Sequence, residues 1–286
     1  DRMRYIAQNI AQADMSPFNI LSNTIISHFY GARGVHQTVT GSDDPNDCFV
    51  DFDRIADGDT DLVERHRKII DYQSKVNKKP IWGTTELHTS IQTGARNYCR
   101  QKSANPQREF HPVDVLEWVA SFRDNGIGEK LLKTDSMNEA YDILTTQKGI
   151  GEYYGFHCSV STSVLPFLKY HHDQRFVAPG PGARYTIQKL WPEVPKKLYD
   201  EAIYFLRENS DEIGLTENVE FHEKAYNIDG IFTQEQDSLK YYGTEVLSCQ
   251  FGIYLQIRND KKACDRRKVS RIETSQNTLE DFLCGA

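Results

Sequence analysis

The chain of 286 residues lacks any long segment in which apolar and polar residues alternate with strand period, so the fold expected is mainly α. It lacks an apolar run approaching the roughly 20 residues of a membrane-spanning helix, and no secretory leader is recognised. Cysteine is sparse: six residues, at 48, 99, 158, 249, 264 and 284, with no CxxC pair. That spacing excludes a four-cysteine zinc or iron–sulfur loop and points to a reduced, intracellular protein, with no metal or cofactor expected. No GxxxxGK[ST] occurs, which excludes a P-loop kinase within these residues, and GxSxG and HExxH are also absent. An excess of basic charge is missing too. With 34 Lys and Arg against 41 Asp and Glu the net charge is −7, unlike a strong nonspecific nucleic-acid binder, so any DNA contact has to be local.

What is present centres on the stretch from Leu144 to Trp191. Lys148-Gly149-Ile150-Gly151 lies between two segments of helical periodicity, a pattern that reads as a helix-hairpin-helix. The free N–H groups at the start of its second helix suit a phosphate oxygen, making Lys148, Gly149 and Gly151 candidate DNA contacts. The second helix carries Phe156, Val160, Val164 and Phe167 at helical spacing. After it, Pro179-Gly180-Pro181-Gly182-Ala183-Arg184 forms a stiff turn that opens another helix. Gly149-Ile150-Gly151-Glu152 repeats the string at Gly126 to Glu129, which leaves a tandem hairpin open. It is not a dinucleotide fingerprint: Gly155 comes one place late, and helix rather than strand precedes it.

Elsewhere, apolar residues from Ile6 to Phe29 fit one or two helices. The aspartates at 43, 44, 47, 51, 53, 57, 59 and 61 lack the register of a calcium loop and read as a solvated acidic connection. Two helical patterns span 62 to 102, broken at Pro80, and a third starts near His111-Pro112. Another covers Pro195 to Glu208, and a long one runs from Gln234 to Arg258. Beyond it, Lys261, Lys262, Arg266 and Arg267 form a basic patch suited to a nucleic-acid backbone.

KGIGEYYGF and FVAPGPGARYTIQKLW resemble the hairpin and following helix of the helix-hairpin-helix DNA glycosylase superfamily, with Gly180 where those enzymes carry a catalytic aspartate. The glycine form of the turn resembles a phage-centred branch: the α-glutamyl/putrescinyl thymine pyrophosphorylases, or amino acid:DNA transferases, and the helical domains associated with 5-hydroxymethyluracil DNA kinases. Glu64-Arg65-His66 with Pro80-Ile81-Trp82 resembles the branch's N-terminal elements, Tyr170 and Asp173 its Y..D element, and Glu245, Cys249, Phe251 and Tyr254 its C-terminal E...CEFDKY pattern. Gln250, Gly252 and Ile253 depart from that pattern.

The resemblance implies a glycosylase-like two-lobed helical domain over 62–270, after an N-terminal helical extension with an acidic loop at 1–61 and before a tail at 271–286. It implies transfer of an amino acid or polyamine onto pyrophosphorylated 5-hydroxymethyluracil in DNA, in the host cytoplasm for a phage protein. Gly180, Gly182, Ala183 and Arg184 would then hold the pyrophosphate, with Asp173, Arg184, Glu245 and Tyr170 as catalytic candidates. Two alternatives stay open: a base-excision enzyme, and a noncatalytic DNA-binding module.

Overall fold

In a computed structural model of the protein, the residues described are 5–30, 39–42, 48–76, 88–103, 105, 107–168, 175–210, 212 and 237–259. These residues form helices and turns, with no strand among them, as the absence of strand periodicity predicts. A short π-helical turn at Ile6–Ile10 precedes α1 (Pro17–Tyr30), α2 (Phe52–Ala56), α3 (Thr60–Lys75), α4 (His88–Lys102), α5 (Asp114–Asp124) and α6 (Ile127–Lys133). Then come α7 (Met137–Thr145), α8 (Glu152–Thr162), α9 (Pro181–Leu190), a 3-10 turn at Lys196–Leu198, α10 (Tyr199–Glu208) and α11 (Asp237–Asn259). None of the helices described is long and apolar enough to cross a membrane.

The core is assembled around α1. Pro17 starts this helix with a ring that needs no N–H partner, and Ser16 Oγ accepts the Asn19 N–H. Every residue from Phe18 to Tyr30 is buried, because α2, α5, α6 and α8 all pack around it. Enclosure on all sides requires its polar side chains to find partners inside. Asn23 closes a two-way bond with the Val50 backbone, at 2.8 Å and 3.0 Å, and Asn19 Oδ1 accepts the Phe52 N–H at 2.6 Å. His28 Nε2 meets Ser161 Oγ of α8 at 2.5 Å. Phe29 packs against Trp118 and Tyr154, joining α1 to α5 and α8.

The aspartates expected to form a solvated loop have structural duties where they are described. Asp51 caps α2 by accepting the Arg54 N–H, and Asp59 caps α3 by accepting the Leu62 N–H. Asp53 accepts from Asn19 Nδ2, and Asp57 pairs with Arg123 of α5 at 2.7 Å. Asp43, Asp44 and Asp47 lie outside the described residues.

The two Gly-Ile-Gly-Glu strings do not form the same turn. In the first, Gly126 is the N-cap of α6, with φ 76°. In the second, Gly149 has φ 111° inside the turn and the next glycine, Gly151, is the N-cap of α8. A tandem repeat would place equivalent glycines at equivalent positions, so the shared string is not one.

Candidate anion pocket between two helix N-termini

The hairpin is built by α7 and α8, which pack against each other across the turn between Thr145 and Glu152. Ser136 caps α7 by accepting the Glu139 N–H, and Ile150 N–H closes the turn onto Gln147 O at 2.9 Å. The tertiary contact of this turn is α4. A Cβ at Gly149 would lie 2.8 Å from both the Ser90 carbonyl oxygen and the Gly94 Cα, and a Cβ at Gly94 would collide with the Lys148 carbonyl oxygen. The two glycines let the turn and α4 touch backbone to backbone. Gly149 is thus needed for packing against the protein itself. Gly151, by contrast, is exposed and has no atom within 4 Å of where a Cβ would go, so the start of α8 is open to solvent.

The second N-terminus belongs to α9. Phe176 and Val177 are buried, and Pro179 leads to Gly180 as N-cap and Pro181 as the first helical residue. Arg184, one turn on, pairs with Glu152 in the first turn of α8, tying the two helix starts side by side. Between them lies a cavity of about 260 Å³ lined by Ser90, Gly151, Glu152, Tyr153, Pro179, Gly180, Pro181 and Arg184, with Tyr154. The positive ends of two helix dipoles face the same space, while the Arg184 guanidinium there is paired with the Glu152 carboxylate, so it is the helix ends that favour an anion.

Helix α11 supports α9 from behind. A Cβ at Gly182 would lie 2.6 Å from Cys249 Sγ and 2.7 Å from its carbonyl oxygen, while one at Gly252 would collide with the Gly182 carbonyl oxygen. Thr186 Oγ1 donates to Ser248 O at 2.6 Å across the same crossing. The glycine at 252, a departure from the resembling pattern, therefore lets the two helices meet more closely than a side chain would allow. Glu245 lies 2% exposed on α11, and its Oε1 accepts the Gly180 N–H at 2.8 Å. Burial pushes its pKa up to about 7, against the opposing pull of the Gly180 N–H and the Arg184 charge.

Of the residues expected to act, the fold brings Gly151, Gly180 and Arg184 to one cavity. Lys148 is exposed at the hairpin. Gly182 and Ala183 are buried in the first turn of α9. Glu245 and Cys249 stand behind the turn rather than in the cavity wall. Tyr170, Asp173, Lys261, Lys262, Arg266 and Arg267, with Pro80, Ile81 and Trp82, lie outside the described residues. On α3, Glu64 and Arg65 are exposed, while His66 is buried with Nδ1 donating to Val39 O at 2.7 Å. Burial pushes the His66 pKa down. Ser90 and Tyr153 line the cavity without having been singled out in the sequence. The signal available for Tyr153 was an aromatic residue in the first turn after the hairpin.

A larger cleft of about 400 Å³ lies among α2, α3, α4 and α5. Cys99, Asp114 and Glu117 come within 4.8 Å of one another beside it, a spacing that could hold a metal ion. Their two carboxylates are already met by two guanidiniums: Arg108 donates to Asp114 at 2.5 Å and to Glu117 at 3.4 Å, and Arg67 stands 3.7 Å from Asp114. Burial, then the carboxylates of Glu117 and Asp114, push the Cys99 thiol up and keep it protonated. The group reads as an ion network tying α5 to the loop before it.

No curated protein and no solved structure matches the chain. Residues 64–263, well over half of it, match the family model described as "5-hmdU DNA kinase, helical domain". The matched span contains the hairpin, the cavity and the α9–α11 crossing. The chain belongs to this family of 5-hmdU DNA kinase helical domains.

Proposed function

We propose that the protein acts in thymine hypermodification of DNA, transferring an amine from an amino acid or polyamine onto pyrophosphorylated 5-hydroxymethyluracil. The family is named for a kinase of 5-hydroxymethyl-deoxyuridine, and this chain carries no GxxxxGK[ST], so a step that uses a phosphorylated base suits these residues better than phosphorylation by a P-loop. In that step the amine nitrogen bonds to the exocyclic methylene carbon. The carbon–oxygen bond breaks with its electron pair leaving as pyrophosphate, and the ammonium proton passes to a base. The observation that supports the reading is the convergence of two helix N-termini on one cavity, with Arg184 paired to Glu152 beside them. The positive helix ends, and Arg184 once it exchanges Glu152 for the leaving group, would then favour the negative charge that grows on pyrophosphate. Asp173 is proposed as the base from its place in the sequence. The base would reach the cavity by leaving the duplex stack.

A noncatalytic DNA-binding module accompanying a kinase is the second reading. It is favoured by the filling of position 252 with a helix contact where the resembling pattern carries a charge. A base-excision reading requires a carboxylate facing the sugar. Gly180 has none, and Glu245 is turned toward the Gly180 N–H. The test is to incubate DNA bearing pyrophosphorylated 5-hydroxymethyluracil with the protein and a mixture of amino acids and polyamines, then analyse digested nucleosides by mass. An amine-substituted thymidine supports transfer. DNA binding with unaltered nucleosides supports the module, and abasic sites support excision.

A further inference from the structure

We propose that Glu245 senses charge in the α8–α9 cavity: an anion settles there with Glu245 in its neutral form, so binding takes up a proton. This rests on the reading of the cavity as an anion site and adds a positioning role to it. The Glu245 carboxyl already meets the N-terminus of α9 from inside, through the 2.8 Å bond from the Gly180 N–H, while the cavity opens onto the same turn from outside. An ionised Glu245 and an anion in the cavity would share Gly180 and the field of one helix end, and like charges so placed raise the pKa of the group that can accept a proton.

The surroundings allow that proton to be held. Glu245 is 2% exposed, so its ionised form has little water to stabilise it, and burial has already brought its pKa near neutrality. Among the described residues, α9 presents Arg184, which is itself held by Glu152 of α8. From α8, the Tyr153 ring lies on Gly180, and His157 packs on that ring at 4.3 Å between centroids. On α11 itself Cys249 follows one turn later against Gly182, and from α10 the Tyr204 ring meets Tyr241 one turn earlier. Arg184 is thus the cation that acts on Glu245 among these groups, and the negative potential of an anion in the cavity would offset its pull on the Glu245 carboxylate.

Sulfate serves as the probe because its charge is constant between pH 6 and 8.5. Binding is read from the amide resonances of Gly151 and Gly180 and from calorimetry in two buffers of different ionisation heat. Sulfate is expected to bind the full chain about tenfold more tightly at pH 6 than at pH 8.5, the effect of a pKa raised by about one unit in the complex, with proton uptake in between. Glu245→Gln keeps an acceptor for the Gly180 N–H and removes the charge. It is expected to bind at pH 8.5 as tightly as the unaltered protein does at pH 6, with no proton uptake beyond that of the histidines. Sulfate affinity that is equal at the two pH values, or a pH dependence that survives in Glu245→Gln, overturns the proposal while leaving the cavity an anion site. No response of Gly151 and Gly180 to sulfate overturns the anion site as well. Amine transfer that fails despite pH-coupled sulfate binding removes the chemistry and leaves this inference standing.

Discussion

Replacing Glu245 with Gln tests the electrostatics of the buried carboxyl separately from any ligand. The amide oxygen can still accept the Gly180 N–H, and the side-chain volume hardly changes, so packing at the α9–α11 crossing is retained. In the folded protein the Glu245 pKa is raised from its ordinary 4.5 to about 7, first by burial. The sign follows from which state binds the proton more tightly. Between these two values the folded state keeps a proton that the unfolded chain releases. The stabilisation is fully present below the unfolded value and lost as pH rises through 7. Raising the pKa over that interval corresponds, at about 1.36 kcal/mol per pH unit, to roughly 3 kcal/mol. At pH 8.5 Glu245→Gln is therefore expected to be more stable relative to the unaltered protein, by roughly 3 kcal/mol more than the difference at pH 4.5. The assay is urea denaturation of both proteins at the two pH values, where subtracting one protein from the other cancels the remaining titrations. A stability difference that is the same at pH 4.5 and 8.5 refutes the reasoning.

The two hairpin glycines should separate. Gly149→Ala has to hold a φ of 111° and displace α4, costing about 1–3 kcal/mol from backbone strain alone and lowering the melting temperature. Gly151→Ala meets nothing, so its stability should stay within about 0.5 kcal/mol. Any loss of duplex affinity in that variant then reports a backbone contact at the start of α8. Gly252→Ala should cost at least about 1–3 kcal/mol in urea, since α11 has to move away from α9. Neutralising Lys261, Lys262, Arg266 and Arg267 should weaken binding to all DNA sequences and flatten its dependence on salt.

The sequence made local features legible and left the contacts between distant residues unseen. Pro181 at the first position of α9, with Gly180 before it, follows from turn chemistry and is where the helix begins. The hairpin glycines were also visible, but their physical reasons differ, because Gly149 answers to Gly94 and Gly151 answers to nothing. Only the fold pairs residues 55 positions apart. The same holds for Gly182 and Gly252, and for Gly180 and Glu245, where a glycine that departs from the resembling pattern has a packing reason and a catalytic candidate stands behind the turn. The burial of α1 was hidden for another reason. Asn19, Ser22, Asn23, Thr24, Ser27 and His28 make the helix look amphipathic, and only their internal hydrogen bonds allow it to be enclosed on every side. Aspartates 51 and 59 show the same limit, since a cap differs from a solvated acid only by the N–H three residues on.

The most direct measurement of the central claim is pyrophosphate release from DNA bearing pyrophosphorylated 5-hydroxymethyluracil, by the unaltered protein and by Arg184→Ala, with and without amines. Arg184 lies 44% exposed at the mouth of the cavity, so its removal should leave the fold intact. The account predicts release that depends on an added amine and falls at least about tenfold in Arg184→Ala, the loss of one charge-assisted contact to the leaving group. Release that is undiminished in Arg184→Ala, or alkali-labile strand breaks in place of amine-substituted thymidine, would contradict it.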